Sequence, residues 1–268
     1  MNSERGLLLR PDANIAYQVR GQGKWLIFCH ALATHQELWE RQRAALSRNF
    51  SVVTFDLRGH GESSPPGNSD YSFESQADDV VALMDHLDIQ GAALVGISVG
   101  GEIAQVAAAR HPGRVDRLIL SSTACHTDPA RAATWESRIR EAEKLGMSGI
   151  ASATASRWFS ASFASTHPEV IDWCRRCVAA TKLESYVGLA RVIQLMDLRP
   201  MLGTIASPTL VLCGDQDHNT GPKTASVLAE LIPDSRLSVF AGAGHFPNIE
   251  AAAQFNRVIE EFLASMYR

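Results

Sequence analysis

The sequence predicts an α/β protein, with a mostly parallel sheet of eight strands, flanking helices and one helical insertion after the sixth strand. Short apolar runs alternate with segments of helical periodicity over most of the chain. This alternation is typical of parallel sheets, because each strand is followed by a helix that returns the chain to the next strand. The middle of the chain breaks the alternation and has helical patterns alone.

Eight segments have the apolar or alternating pattern of strands and are bounded by turn residues. They are Leu7–Arg10, Ile15–Arg20, Trp25–Cys29, Ser51–Phe55, Ala92–Ile97, Leu118–Ser121, Thr209–Cys213 and Leu237–Phe240. The runs WLIFC, SVVTF and TLVLC are apolar almost without interruption. Such runs are expected of strands that are buried on both faces of a sheet.

The helical spacing of apolar residues predicts helices in the segments between these strands. Outside the insertion the predicted helices are Leu38–Arg48, Phe73–Leu87, Gly101–Arg110, Lys223–Leu231 and Ala252–Met266. From about Asp128 to about Met201 we predict helices and no strand. We therefore expect a core formed by residues 1–125 and 203–268 and a helical lid formed by residues 126–202.

Composition narrows the choice of partner and compartment. The formal net charge is −4 with no long run of either sign, which argues against nucleic acid or an anionic membrane as the main partner. The sequence has neither the pattern of a secretory signal nor an apolar stretch long enough to span a bilayer. Five cysteines are an odd number, so we expect reduced thiols and a cytoplasmic protein. Whether copies of the chain form a homo-oligomer stays open.

The segment GISVGG, residues 96–101, stands where a predicted strand turns into a predicted helix. Gly-x-Ser-x-Gly in that context is a nucleophile elbow, a sharp turn that presents the serine hydroxyl at the edge of the sheet. Gly96 and Gly100 lack Cβ atoms, which lets the strand and the helix pass close to each other. We predict that Ser98 is a nucleophile, and the alternative is an ordinary glycine-rich turn.

A nucleophilic serine needs a base and a third group that orients the base. In this arrangement the chain order is serine, acid, histidine. His245 follows the last predicted strand in a loop, so we predict that it is the base; the alternative is a surface histidine. Asp215 and Asp217 both follow the seventh predicted strand, and spacing alone allows either of them to be the acid.

Two backbone N–H groups are needed for an oxyanion hole, which stabilises the negative oxygen of a tetrahedral intermediate. Val99 follows the nucleophile directly, and we predict that its N–H is one donor. The loop after the third strand, residues 29–33, is placed to give the second donor, and we predict Leu32. We interpret His30 as a residue that holds this loop in place.

No metal or organic cofactor is predicted. Cys174 and Cys177 are the one pair with close cysteine spacing. A redox motif or half of a zinc site would need a different context or further ligands. We interpret the two cysteines as small residues on one face of a lid helix.

Several segments resemble the α/β-hydrolase superfamily, and the resemblance covers essentially the whole chain. They are FCHAL, FDLRGHGESSPP, LVGISVGG, PTLVLCGDQD and GAGHFPNIE. The resemblance implies the α/β-hydrolase fold and a Ser-His-Asp triad. It aligns Gly214 with the glycine and Asp217 with the acid of the superfamily's G-x-x-D pattern, so Asp217 is preferred over Asp215.

The predicted lid is most similar to that of the 3-oxoadipate enol-lactonases of aromatic catabolism. The similar segments are TWESRIREAEKLGM, SRWFSASF and MDLRPML. This resemblance implies hydrolytic ring opening of a small carboxylated lactone. The alternatives are a general carboxylesterase, a lactonase for another ring or a carbon–carbon bond hydrolase with the same triad, and a small-molecule receptor that keeps the hydrolase fold.

Four lid residues are candidates for substrate binding. Arg138 and Trp135 are placed to recognise an acid, since a guanidinium binds a carboxylate through two parallel hydrogen bonds. The alternative is that Arg138 is a solvated residue of a highly charged helix. Trp158 and Phe159 are expected to line the pocket or to form the interior of the lid.

Overall fold

The computed structural model describes residues 3–264 and contains all eight predicted strands in one sheet. Its strands are β1 (Ser3–Leu9), β2 (Asn14–Arg20), β3 (Lys24–Cys29), β4 (Phe50–Phe55), β5 (Ala92–Ile97), β6 (Val115–Ser121), β7 (Thr209–Gly214) and β8 (Ser235–Phe240). The strand order is β1-β2-β4-β3-β5-β6-β7-β8. The pairs β1–β2 and β2–β4 are antiparallel and the other pairs are parallel, which confirms the predicted mostly parallel sheet.

Helices occupy the predicted places between the strands. Before the insertion they are α1 (Glu40–Leu46), α2 (Phe73–His86) and α3 (Val99–Arg110). The insertion holds α4 (Pro129–Ser156), α5 (Ala161–Thr166), α6 (Pro168–Ala180), α7 (Leu183–Gln194) and α8 (Arg199–Leu202). After it come α9 (Pro222–Leu231), α10 (Pro247–Glu250) and α11 (Ala252–Ala264). Among the described residues, no helix combines the length and apolar character that crossing a membrane requires.

Some predicted boundaries were wrong. The segment predicted as one helix over Leu38–Arg48 is a 3-10 turn (Gln36–Trp39) followed by α1. β6 and β8 begin earlier than their apolar runs, because each starts with residues that include polar, accessible ones. The helix predicted from Gly101 begins at Val99, and α10 was not predicted. The predicted end of the last helix, Met266, lies outside the described residues.

Alternate residues of the central strands point to opposite sides of the sheet, and both sides are covered. Leu26 and Phe28 of β3 belong to one apolar cluster, whereas Ile27 and Cys29 belong to the other. All four are nearly or fully inaccessible to solvent. A strand buried on both faces has no polar positions to alternate with, which explains the apolar runs in the sequence.

The helices of the insertion leave and rejoin the rest of the chain at one place. The Thr127 N–H donates to the Met196 carbonyl oxygen at 2.9 Å, and the Leu198 N–H donates to the Cys125 carbonyl oxygen at 2.7 Å. The long helix α4 is kinked at Gly146, whose φ is 69°. Because its two ends are hydrogen-bonded to each other, the insertion is closed at its base.

The turn between β5 and α3 depends on two glycines. A Cβ atom on Gly96 would lie 2.2 Å from the Gly100 carbonyl oxygen, and one on Gly100 would lie 2.3 Å from the Cys29 carbonyl oxygen. Ser98, between them, has φ 53° and ψ −126°. A non-glycine residue rarely adopts a positive φ, so this turn is both strained and tightly enclosed.

We predict that Gly100→Ala lowers the free energy of unfolding by about 1–3 kcal/mol or more, because the added methyl group meets fixed backbone atoms. The matched control is Gly203→Ala, since Gly203 has right-handed helical backbone angles and a Cβ atom there would meet nothing within 4 Å. Urea unfolding of both variants checks this. Equal stability of the two variants would contradict the close approach at the turn.

Candidate active site

Ser98 lies at the edge of a cavity of about 350 Å³ between the sheet and the insertion. β5 ends directly before it and α3 begins directly after it. Ser98 is half-buried and lines the cavity together with His245 and the loop Ala31–Ala33. The residue predicted as the nucleophile is therefore accessible to a small molecule inside the cavity.

His245 and Asp217 are in direct contact. The His245 Nδ1–H donates to Asp217 Oδ2 at 2.8 Å, and both side chains are largely buried. The other carboxylate oxygen, Oδ1, accepts the N–H groups of Asn219 at 2.9 Å and Thr220 at 3.1 Å. Since the Nδ1 proton is engaged by Oδ2, Nε2 is the ring nitrogen that is left to accept a proton.

The carboxyl of Asp217 is held in its ionised form. Burial alone would raise its pKa, but the charge of a protonated His245 and hydrogen bonds from His245, Thr220 and Asn219 act in the opposite direction. The net effect is a pKa below the usual range for aspartate. Asp217 can therefore hold the imidazole orientation and stabilise a positive charge on it.

Asp215, the second acid in this loop, has a different contact. It is exposed and accepts the N–H of Gly242 at 2.8 Å. The sequence spacing left both aspartates open as partners of the histidine. In the structure Asp217 is hydrogen-bonded to His245, whereas Asp215 accepts a hydrogen bond from the turn after β8.

The loop after β3 is organised around His30. Its Nδ1–H donates to the Ala31 carbonyl oxygen at 2.8 Å, and its Nε2 accepts the N–H of Leu57 at 2.8 Å. Burial, with a smaller contribution from His60, lowers the pKa of His30 well below its usual value. Because both ring nitrogens of the neutral His30 are hydrogen-bonded, the ring is not available for proton transfer. It connects the loop after β3 to the segment after β4.

Leu32 and Val99, the two residues predicted to form the oxyanion hole, lie in the loop after β3 and at the start of α3. Leu32 lines the cavity within a turn closed by the hydrogen bond from the Thr34 N–H to the Ala31 carbonyl oxygen, 3.2 Å. Val99 is the first residue of α3, and the first N–H groups of a helix have no carbonyl partner within it.

Positive charge predominates on the insertion side of the cavity. Arg131, Arg138 and Arg157 line it, whereas Asp128 is the one carboxylate among its described lining residues. Arg131 and Arg138 are seven residues apart on α4, so they lie on the same face of that helix. The cavity is therefore suited to a small anion.

Arg138 is a partly buried residue of the cavity wall. Its guanidinium lies 5.0 Å from the ring centroid of Trp135 and donates to Asn219 Oδ1 at 3.3 Å. Burial lowers its pKa, and the nearby charge of Arg157 contributes in the same direction. The guanidinium thus has two fixed neighbours and is not a fully solvated group.

The two aromatic candidates at the end of α4 have different surroundings. Trp158 lines the cavity, whereas Phe159 is not among the lining residues. The Phe159 ring lies 5.4 Å from the ring of Phe163 and 5.7 Å from the ring of Phe246. Successive residues after the end of a helix point in different directions, so Phe159 lies off the cavity and packs between the insertion and the segment after β8. It is therefore not placed to contact a substrate in the cavity.

Some cavity residues were not predicted from the sequence. Besides Arg131 and Arg157 they include Thr134, Tyr186, His218 and Asn219. The four residues 131, 134, 135 and 138 follow the i, i+3, i+4, i+7 spacing of one helix face. That spacing could have predicted the cavity-lining face of α4. The residues of α7 and of the loop after β7 are brought to the cavity by tertiary structure, which no local pattern indicates.

Glu102 is a buried acid one helical turn after Ser98. It is 2% exposed, and its Oε2 has no hydrogen-bond partner among the described residues. Burial raises its pKa to about 7, opposed by the charge of Arg131 and a hydrogen bond to the backbone of Ala124. The carboxyl is therefore close to its titration point at neutral pH.

Cys174 and Cys177 lie on α6 as free, buried thiols. Burial raises the pKa of Cys177 to about 12 and that of Cys174 further. Thiols with a raised pKa are poor nucleophiles. Within residues 3–264, no group of three or more histidine, cysteine, aspartate or glutamate side chains is arranged to hold a metal ion.

A sheet of this topology, with a serine in a strained strand-to-helix turn and a buried histidine–aspartate pair, defines a class of hydrolase. The sequence matches the α/β hydrolase fold family over residues 24–170 and 182–252. The chain belongs to this family.

Among its relatives, 3-oxoadipate enol-lactonase 2 of Acinetobacter baylyi is 34% identical over 255 residues, which are 94% of each chain. The solved enol-lactonase of Burkholderia xenovorans is 33% identical with a TM-score of 0.89, over 94% of this chain and 97% of that one. A thermophilic esterase of Thermogutta terrifontis, with malate bound, is 30% identical with a TM-score of 0.90, over 99% and 100%. The protein is a hydrolase that acts on esters or lactones.

We predict that Glu102→Gln stabilises the protein at pH 8 by about 1–3 kcal/mol. A carboxyl whose pKa is raised from 4.5 to about 7 binds its proton more tightly when folded. Stability is therefore lost as pH rises through this window, and the glutamine variant escapes that loss. Urea unfolding at pH 5 and pH 8 checks this, with the exposed Glu141→Gln on α4 as the control. A variant that gains no stability at pH 8 relative to pH 5 would refute it.

Proposed function

We propose that this protein opens a small carboxylated lactone, similar to 3-oxoadipate enol-lactone, through an acyl-enzyme on Ser98. The observation that carries the proposal is the contact between His245 Nδ1 and Asp217 Oδ2 at 2.8 Å, with Ser98 and His245 on the same cavity. The similarity to two enol-lactonases supports the substrate class.

The first half of the reaction uses the groups that line the cavity. Ser98 Oγ attacks the lactone carbonyl carbon, and His245 Nε2 takes its proton while Asp217 holds the opposite edge of the ring. The N–H groups of Leu32 and Val99 receive the negative oxygen of the tetrahedral intermediate. When the ring carbon–oxygen bond breaks, the leaving oxygen takes the proton from His245 and remains attached to the acyl chain.

The second half removes the acyl group. A water molecule gives its proton to His245 Nε2 and attacks the acyl carbonyl carbon, and Ser98 leaves with that proton. The product has gained one carboxylate relative to the substrate. Serine, water, imidazole with Asp217 behind it, and backbone N–H groups supply the protons and the charge contacts of both steps, so the proposed mechanism needs no metal or organic cofactor.

Arg138 and Trp135 are proposed to bind the carboxylate that the substrate already carries. The guanidinium is oriented by the face of Trp135 and by Asn219 Oδ1. Arg131 and Arg157 add positive charge to the same wall. The similar esterase was solved with malate bound, and malate is also a small carboxylate.

The helices α4 to α8 are proposed to act as a lid. We place the lid at residues 126–202 and the catalytic core at residues 1–125 and 203–268. Trp135, Arg138 and Trp158 come from the lid, whereas Ser98 and His245 come from turns and loops of the core. The core would then supply the chemistry and the lid the substrate preference.

We predict that Ser98→Ala lowers kcat/KM for 3-oxoadipate enol-lactone at least about 10³-fold, because removal of the nucleophile leaves only binding and the oxyanion hole. Loss of the ultraviolet absorbance of the lactone measures the rate. A folded wild-type protein that opens an aryl ester through Ser98 but leaves the lactone intact would sink the lactonase proposal and favour a general carboxylesterase.

Arg138→Gln is predicted to raise KM for the carboxylated lactone about 10- to 100-fold, since a charged hydrogen-bonding partner is removed. Hydrolysis of an uncharged aryl ester should change less than about threefold, because that substrate has no carboxylate to lose. Arg140→Gln, on the exposed face of the same helix, is the matched control. Equal effects on charged and uncharged substrates would show that Arg138 does not recognise the carboxylate.

A further inference from the structure

Ser121, the last residue of β6, and the two residues after it contact both Ser98 and Thr220, which lies beside the Asp217–His245 pair. The Ser98 N–H donates to the Ser121 carbonyl oxygen at 3.0 Å, and Thr123 Oγ1 donates to the Ser98 carbonyl oxygen at 2.8 Å. Between them, the Ser122 carbonyl oxygen lies 2.8 Å from Thr220 Oγ1. One short segment thus touches the backbone of the nucleophile and a hydroxyl beside the acid.

The hydroxyl of Thr220 lies within the acid–base pair. Its Oγ1 is 2.7 Å from Asp217 Oδ2 and 3.1 Å from His245 Nδ1. Oδ2 is the same oxygen that accepts the proton of His245. A hydroxyl has one proton, so Thr220 Oγ1–H is shared between Asp217 Oδ2 and the Ser122 carbonyl oxygen, while the Nδ1–H of His245 stays directed at Oδ2.

The segment between these contacts is firmly held. Ser122 has a positive φ of 45°, and its N–H donates to the Leu212 carbonyl oxygen at 2.8 Å. A Cβ atom on Gly101 would lie 2.7 Å from Thr123, so α3 packs directly against the segment. A non-glycine residue in this conformation persists only where its surroundings fix it.

We infer that Ser121–Thr123 and Thr220 form a positioning bridge that sets the place of Ser98 relative to the Asp217–His245 pair. The inference rests on the proposed function. Neither threonine is among the residues that line the cavity, so Thr123 and Thr220 act through Ser98, Asp217 and His245 and are positioning residues.

The two threonines have separable effects. Thr220 shares the negative charge of Asp217 Oδ2, so its removal leaves more charge facing the imidazolium and favours the protonated ring. Thr123 touches the backbone of Ser98 and leaves that charge unchanged. The other titratable groups around the pair stay as they are in both variants: Cys213, Asp215, His218, Glu250, Arg138 and Arg157.

The test uses hydrolysis of p-nitrophenyl acetate, which needs no knowledge of the natural substrate. For Thr220→Val we expect kcat about 10- to 100-fold lower and the acid limb of kcat/KM about half a pH unit higher. Thr220→Ser keeps the hydroxyl and should restore both nearly to the wild-type values. An acid limb that does not move upward in Thr220→Val would overturn the role of Thr220.

Thr123→Val tests the bridge at its contact with Ser98, and it keeps the proposal testable if Thr220→Val fails to fold. We expect a similar loss of kcat with the acid limb unmoved. The matched control is Thr209→Val, a buried threonine at the far end of β7 whose Oγ1 donates to the Ser207 carbonyl oxygen at 2.9 Å. If Thr209→Val loses as much activity as the bridge variants, or Thr123→Val loses none, the bridge is refuted.

Ser98→Ala separates this failure from failure of the proposed function. Full activity of Ser98→Ala would remove the serine mechanism and the bridge together. Inactive Ser98→Ala beside fully active bridge variants would remove the bridge alone.

Discussion

The structure depends on one backbone constraint, the positive φ of Ser98 at the point where β5 meets α3. A non-glycine residue in a sparsely populated conformation costs about 1–3 kcal/mol, and the surrounding contacts offset that cost. Gly96 and Gly100 leave room for backbone atoms that a Cβ would displace. The Ser98 N–H and carbonyl oxygen are both hydrogen-bonded to residues 121–123. The backbone of Ser98 is consequently held in one position, with the residue lining the cavity.

The two sides of the cavity, the core and the insertion, carry charges of opposite sign. On the core side, an ionised Asp217 is buried against His245 and both of its carboxylate oxygens accept hydrogen bonds. On the insertion side, arginines predominate in the cavity wall. A substrate carboxylate would be drawn to the insertion while its carbonyl group lies near Ser98.

The features that depend on local pattern were predictable from the sequence. Apolar runs predicted the buried strands, and three glycines around Ser98 predicted the sharp turn. Spacing could not decide between Asp215 and Asp217, because the choice depends on which carboxylate meets a loop 28 residues away. The sequence could not place Phe159 either, because its packing against Phe246 depends on a contact between the insertion and the segment after β8. Glu102 was missed because an acid on a helix becomes unusual only when the fold buries it.

The most direct test of the serine mechanism is capture of the acyl-enzyme. Rapid mixing of the protein with p-nitrophenyl acetate, acid quenching and peptide mapping by mass spectrometry would locate the acyl group. We expect one acetyl group on the peptide that contains Ser98, formed in the same burst as p-nitrophenolate and absent from Ser98→Ala. An acetyl group on another residue, or turnover with no burst and no adduct at any quench time, would contradict the mechanism.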